Sequence, residues 1–259
     1  MLLEVKDLNI SLTSEKSVAE HISFRLGQGE MLSIVGSSGA GKTTICKAIM
    51  GLLGNTYRAD GEILFQGEDL LDLPERKRQT IYGKEICLIM QNSMTAFNPS
   101  IRVGRQLEKT YLLHHGKTPR QEMQRLFAAI LQKLGLEDTQ RILNSYPFTL
   151  SGGMLQRLMI AAALMCQPAL LVADEATTAI DACNRIGLMR ELKSFCKDGM
   201  SVLFVTHDLR SASVSDRILV MDRGQIVEQG KTEQILNTPK EDYTKYLLNA
   251  CRLERREMS

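Results

Sequence analysis

Long hydrophobic runs are missing from this chain of 259 residues. The longest, residues 158–166, lies between Arg157 and Gln167. It falls well short of the roughly 18 apolar residues that a bilayer span requires, so the chain is not expected to cross a membrane unaided. A dominant charge is missing too. The 32 Lys and Arg stand against 30 Asp and Glu, a net charge of +2, which creates no global field for nucleic acid or anionic lipid. A secretory leader is not expected, because Glu4, Lys6 and Asp7 interrupt the N-terminus before an apolar stretch can form. The chain is therefore expected to stay in the cytosol. The six cysteines, Cys46, Cys87, Cys166, Cys183, Cys196 and Cys251, include no CxxC pair. That spacing argues against a disulfide frame or a metal cluster and for reduced, mostly buried thiols. Low-complexity runs and internal repeats are absent, and 44 % hydrophobic residues suffice for an ordinary core.

What is present reads as an α/β chain with a helical interruption. Residues 2–12 and 22–26 alternate polar and apolar side chains, as half-exposed strands of an antiparallel edge sheet do. The apolar residues 31–35 lead through a glycine-rich turn into amphipathic residues 42–53, giving strand, loop and helix in order. From residue 92 to residue 157 the character changes. Thr118, Pro119 and Gln121 are expected to form a capping-box start, and Met123, Leu126, Phe127, Ile130, Leu131 and Leu134 keep helical spacing until Gly135 stops it. Strand and helix alternation resumes with residues 169–173, 201–206 and 218–221, the first two being continuous apolar runs of the buried parallel type. Residues 233–259 read as helical, with Arg252, Arg255 and Arg256 forming a solvated basic tail.

Gly36, Ser37, Ser38, Gly39, Ala40, Gly41, Lys42 and Thr43, followed by Thr44, match G-x-x-x-x-G-K-[ST] between an apolar strand and a helix. The glycines permit torsions closed to other residues and let several N–H groups converge on one anion, to which the helix N-terminus adds its partial positive charge. Lys42 is expected to reach the β- and γ-phosphates and the Thr43 hydroxyl to ligate Mg²⁺. Asp174 and Glu175 close another apolar run, at the sheet edge where α/β ligand sites lie. Asp174 suits Mg²⁺ and Glu175 suits a general base toward the attacking water. His207, delivered by residues 201–206, is expected to meet the γ-phosphate at the same edge.

Residues 150–157 read LSGGMLQR, and here the chain resembles the nucleotide-binding subunits of ABC transporters, whose signature is LSGGQ. The resemblance covers nearly the whole length: phosphate loop, Gln91 in IMQN, the signature, LLVADE, TTAID with Asp181, and VTHD follow in order. It implies a P-loop NTPase core of the RecA type, with an antiparallel edge sheet and an inserted α-helical subdomain. The nucleotide-binding domain would occupy residues 1–235, with the core at 1–91 and 158–235 and the helical part at 92–157. Residues 236–259 would form a helical extension. The resemblance further implies ATP and Mg²⁺ as cofactors and places Gln91 on Mg²⁺ or water. Leu150, Ser151, Gly152, Gly153 and Gln156 would lie against the ATP of a second subunit, and Asp181 would stand at the family's D-loop position. The segment after Gln91 would meet a membrane subunit.

Within that family the blocks MQNSMTAFNPS, RILNSYPFTLSGGMLQRLMIA and DYTKYLL resemble the peptide and nickel importer group, and SGGMLQR the first ATPase subunit of nickel and metal-chelate importers. The partners so implied are a second, different ATPase chain, two permease subunits and an extracellular or periplasmic solute-binding protein, at the cytoplasmic face of the cell membrane. No nucleic-acid partner is expected, since residues 92–157 show no sustained heptads of the kind that DNA-repair relatives insert. Three departures stand out. Leu12 occupies the place where the family usually stacks an aromatic on adenine, so Val18 or His21 is expected to pack on the base and to hold it weakly. Ala176 and Ile180 replace a proline and a leucine. His114 and His115 are expected to be a solvated pair, with no site for the transported metal in this chain.

Overall fold

The computed structural model describes residues 1–90, 95–175 and 182–257, without the side chains of 182–184 and 252–257. In chain order the elements are β1 (Leu3–Leu12), β2 (Ser17–Leu26), β3 (Met31–Val35), α1 (Lys42–Ile49), β4 (Tyr57–Phe65), β5 (Glu68–Asp69), α2 (Glu75–Ile81) and β6 (Ile86–Ile89). Four helices follow: α3 (Val103–His115), α4 (Arg120–Lys133), α5 (Thr139–Asn144) and α6 (Gly152–Met165). The chain then returns to alternation with β7 (Leu170–Asp174), α7 (Ala182–Cys196), β8 (Ser201–Thr206), α8 (Leu209–Ala212), β9 (Arg217–Asp222), β10 (Gln225–Lys231), α9 (Thr232–Asn237) and α10 (Asp242–Glu257).

Two sheets form. The antiparallel one has the order β2-β1-β4-β5, and the larger one the order β10-β9-β3-β8-β7-β6, parallel except for β10. The period-two alternation of the central strands divides their side chains between two cores. Leu32, Ile34, Leu170, Val172, Leu203 and Val205 join α1 and the antiparallel sheet in one cluster. Leu171, Ala173, Val202 and Phe204 face the helices α3, α4 and α6 in the other. Burial on both faces is why these strands read as unbroken apolar runs. A third, smaller cluster gathers Val35, Leu209, Ile218, Val220 and Ile235 under α10.

Several boundaries differ from the sequence expectations, each for a local reason. Helix α1 ends at Ile49 rather than near residue 53, because Gly51 turns left-handed (φ 64°) and packs against the Tyr82 ring. The capping box at Thr118 does not form: Pro119 is the N-cap of α4 and no side chain caps it, which puts Thr118 one position outside. Helix α6 runs unbroken through residue 157, the edge given to the helical segment. The C-terminal stretch is two helices, parted at Thr238–Pro239, where the proline disfavours a helical residue before it. The histidine pair is not simply solvated: His115 stacks on Tyr111 at 4.3 Å and bonds the Met165 carbonyl at 2.9 Å, while His114 is half-buried beside Gly83. Cys46, Cys87, Cys166 and Cys196 are buried free thiols and Cys251 is half-buried; burial holds Cys196 up at about 11.

Candidate functional site

The site lies where β3, β8 and β7, neighbours in the sheet, release the chain at their C-terminal ends. Gly36 leaves β3, Glu175 leaves β7 and His207 leaves β8. The register pairs Val35 with Thr206 and Asp174 with Val205, so all three exits stand at the same level. The Glu175 amide donates to the Val205 carbonyl at 2.9 Å, which staples the carboxylate-bearing exit to its neighbour.

The loop from Gly36 to Gly41 owes its path to two close approaches. A Cβ on Gly36 would overlap the Met221 carbonyl, and Gly41, the N-cap of α1 at φ 95°, lies where a Cβ would come 2.8 Å from the Val18 carbonyl. Only glycine combines that torsion with that proximity. The loop thereby wraps the start of α1, whose first-turn N–H groups have no partner within the helix. Lys42, 5 % exposed, donates from Nζ to the carbonyls of Gly36 and Ser37, each at 2.8 Å. Burial pulls its pKa below the usual lysine value, opposed by the carboxylates of Glu175 and Asp174. Ser37, Ser38 and Gly39 are exposed, as is Thr43, whereas Ala40 is buried and Thr44 half-buried.

The Thr43 hydroxyl donates to Asp174 Oδ1 at 3.2 Å, across 131 positions of sequence. Burial raises the Asp174 pKa; the Thr43 hydrogen bond and the charges of Lys42 and Lys47 work against the rise, and Glu175 adds to it. Glu175 is strained at φ 48°, uncommon for a residue with a Cβ, and its Oε1 lies 3.2 Å from Nδ1 of exposed His207. Asp208, next in the chain, caps α8 and pairs with Arg185 at 3.2 Å, fixing the segment that presents the imidazole. Hydroxyl, two carboxylates, an ammonium and an imidazole thus meet at one edge. A hard, oxygen-seeking cation suits the Thr43–Asp174 pair, and a polyanion suits Lys42 and the helix N-terminus.

Profile and relatives identify the family. The family model described as ABC transporter matches residues 19–178, from within β2 to just past Glu175. The chain belongs to the ABC transporter family. It is 40 % identical over 251 residues to the metal-staphylopine import system ATP-binding protein CntD of Staphylococcus aureus, covering 96 % of this chain and 92 % of that one. It is 41 % identical to the oligopeptide transport ATP-binding protein OppD of Bacillus subtilis, covering 95 % of this chain and 71 % of that one. Among solved structures, the dimeric bacterial ABC transporter cassette MJ0796 superposes with a TM-score of 0.78 at 27 % identity, covering 89 % of this chain and 99 % of that one. This ABC subunit binds and hydrolyses ATP.

The ABC signature stands apart from the phosphate loop on its own helix. Ser151 is the N-cap of α6, its hydroxyl accepting from the Met154 amide at 3.3 Å. A Cβ on Gly152 or Gly153 would meet nothing within 4 Å, so the fold of this chain does not itself demand glycine at either place. Leu150 is half-buried. Gln156, grouped with the signature from sequence, is wholly buried at 0 % exposure and cannot face a second subunit's nucleotide. Exposure falls along α6 from Ser151 inward, and Gln156 lies a full turn below the open end. Gln91 and Asp181 lie outside the described residues, as do Ala176 and Ile180.

At the place of the missing aromatic, Leu12 is half-buried and pairs across the sheet with Tyr57. Val18 abuts the phosphate loop through its carbonyl, whereas His21 is tied to Asp7 at 2.7 Å and mostly solvent-exposed. Of the two residues expected near the base, Val18 alone is shown beside the loop. Sequence reasoning missed the supports of the loop: Met221 from β9, Gly224 from the β9–β10 turn, and Tyr243 from α10. No pattern flags them, since their role is proximity.

Proposed function

We propose that Gly36–Thr43 grips the triphosphate of ATP, with Lys42 turning from the loop carbonyls to the β- and γ-phosphates. Thr43 and Asp174 would hold Mg²⁺, which neutralises phosphate charge when bound; their hydroxyl and carboxylate oxygens, already 3.2 Å apart, are the hard donors that ion prefers. Glu175 takes the proton of the attacking water and His207 orients it, with Gln91 a further ligand of ion or water. The observation that carries this reading is the meeting of Lys42, Thr43, Asp174, Glu175 and His207 at one sheet edge. Ser151, Gly152 and Gly153 close over the nucleotide of a second ATPase subunit, beside Asp181. Their steric freedom within this chain supports that role, because small residues there serve something that approaches from outside. The likeness to a dimeric cassette supports it as well.

The assembly is an importer at the cytoplasmic face of the cell membrane, with two permease subunits, a second ATPase chain and a solute-binding protein. Relatives named for metal-staphylopine and oligopeptide import support this. A cavity of about 310 Å³ beside Ala96 and Phe97, walled by Leu107, His114 and Ala163, suits a permease element. The cargo is nickel or a metal chelate; short peptides are the second reading, favoured by the oligopeptide and dipeptide relatives. Reconstituting the chain with its neighbouring permeases and binding protein, and measuring ATP hydrolysis with the binding protein loaded with nickel chelate or with peptide, decides the matter. Stimulation by peptide alone removes the metal reading.

A further inference from the structure

The block that opens α10 takes no part in the chemistry above, yet its Tyr243 lies against the phosphate loop. The Ser37 amide donates to the Tyr243 hydroxyl at 3.1 Å, across 206 positions. The Ser37 carbonyl accepts from Lys42 Nζ at 2.8 Å and from the Ala40 amide at 3.2 Å. Ser37 is thus held through both of its backbone polar groups.

Ser37 is exposed, so its amide could be satisfied by water, and the phenol is not there to rescue a buried donor. Its effect is on conformation. The loop contains three glycines, and ordering glycine costs more backbone entropy than ordering any other residue. A tyrosine has two side-chain torsions and little freedom to lose, and this ring packs against the cluster of Val35, Leu209 and Ile235. The helix that carries it is fastened elsewhere. The Glu228 carboxylate accepts from the Lys240 and Glu241 amides at 2.8 and 3.2 Å just before α10 begins. Farther along, the Arg210 guanidinium donates to the Cys251 carbonyl. Arg210 belongs to α8, whose cap Asp208 directly follows His207.

We propose that Tyr243 is a positioning residue for ATP binding: its hydroxyl fixes Ser37 so that Lys42 and the loop amides face the triphosphate. Through α10 it also ties the phosphate loop to the segment that carries His207. This rests on the assignment of Gly36–Thr43 to the triphosphate. The test titrates the full chain with a fluorescent N-methylanthraniloyl ATP analogue and Mg²⁺, as wild type, Tyr243→Phe and Lys42→Ala. Tyr243→Phe keeps the ring in its cluster, so the thermal midpoint without nucleotide stays unchanged. The dissociation constant rises about three- to tenfold, the worth of one net hydrogen bond. In the assembled complex the loss shows in KM for ATP and leaves kcat unchanged. Equal or tighter binding by Tyr243→Phe, while Lys42→Ala loses binding, overturns the proposal, as does a thermal midpoint that falls in step with affinity. Full affinity in Lys42→Ala removes instead the phosphate-loop assignment beneath it.

Discussion

Glu175 Oε1 and His207 Nδ1 stand 3.2 Å apart although 32 positions separate them in the chain. The contact joins the exits of two adjacent parallel strands, and it places a carboxylate and an imidazole where one water could touch both. Replacing Glu175 by Gln keeps the shape and removes the carboxylate proposed as the base. Binding of Mg-ATP is expected to persist while hydrolysis falls at least about a hundredfold, the usual contribution of a positioned base. Paired subunits should then accumulate closed around ATP. Phosphate release and size-exclusion chromatography of the complex check this; phosphate release at the wild-type rate would show that Glu175 is not the base.

Asp174 carries a charge in a place that resists it. Its pKa in the folded chain lies above the ordinary 3.8 because burial disfavours the carboxylate. Above the folded pKa the group is ionised in both states and the cost to stability is present in full. As the pH falls through the folded pKa toward 3.8 the folded state takes up the proton first, and the cost disappears. Asp174→Asn should therefore raise the thermal midpoint of the nucleotide-free chain at neutral pH, by an amount that shrinks on acidification. The same variant should lose Mg²⁺-dependent hydrolysis. Thermal melts from neutral to acid pH, paired with hydrolysis assays, test both halves, and a midpoint lowered at neutral pH contradicts the first.

The glycines of the phosphate loop and of the start of α6 should behave oppositely. A methyl group on Gly36 meets the Met221 backbone, so Gly36→Ala is expected to cost about 1–3 kcal/mol of stability together with ATP affinity. A methyl group on Gly153 meets nothing within the chain and adds helix propensity in α6, so Gly153→Ala should be neutral or more stable by up to about 1 kcal/mol. Hydrolysis by the assembled complex should nonetheless fall about tenfold, equivalent to ~1.4 kcal/mol, if another subunit's nucleotide approaches there. Chemical denaturation and complex hydrolysis, measured on both variants, separate the two cases; unchanged hydrolysis in Gly153→Ala counts against a shared site.

Base selectivity should be poor. With Leu12 at the position of the usual aromatic and His21 engaged by Asp7, stacking on the base from these residues is expected to be weak. Competition of GTP against labelled ATP is expected to give similar affinities. A strong preference for ATP shows that adenine has a partner elsewhere, and Tyr57, opposite Leu12, is the first residue to replace.

Much of the α/β core was legible because its central strands are buried on both faces and therefore read as apolar runs. The strands β4, β5 and β6 were not: Tyr57–Phe65 mixes charge and glycine, and Ile86–Ile89 is too short to separate from a loop. Gln156 was misjudged because a linear motif does not say which way a helix turns its residues, and here the core takes that side chain. Thr118 was misjudged because T-x-x-Q matches a capping box only when the first residue is the cap, and Pro119 holds that place.

Contiguous chemistry was written in the chain itself. A phosphate-binding loop needs its glycines, its lysine and its helix start in one unbroken stretch, so residues 36–43 declare themselves at any reading, as do adjacent Asp174 and Glu175. Tertiary structure alone decided what stands against them: Met221 under Gly36, Thr43 on Asp174, His207 on Glu175, Tyr243 on Ser37. Those contacts depend on the order β3-β8-β7 in the sheet and on where α10 comes to rest. Strand order and helix docking minimise exposed apolar surface over the whole molecule, and no local pattern of residues encodes a global minimum.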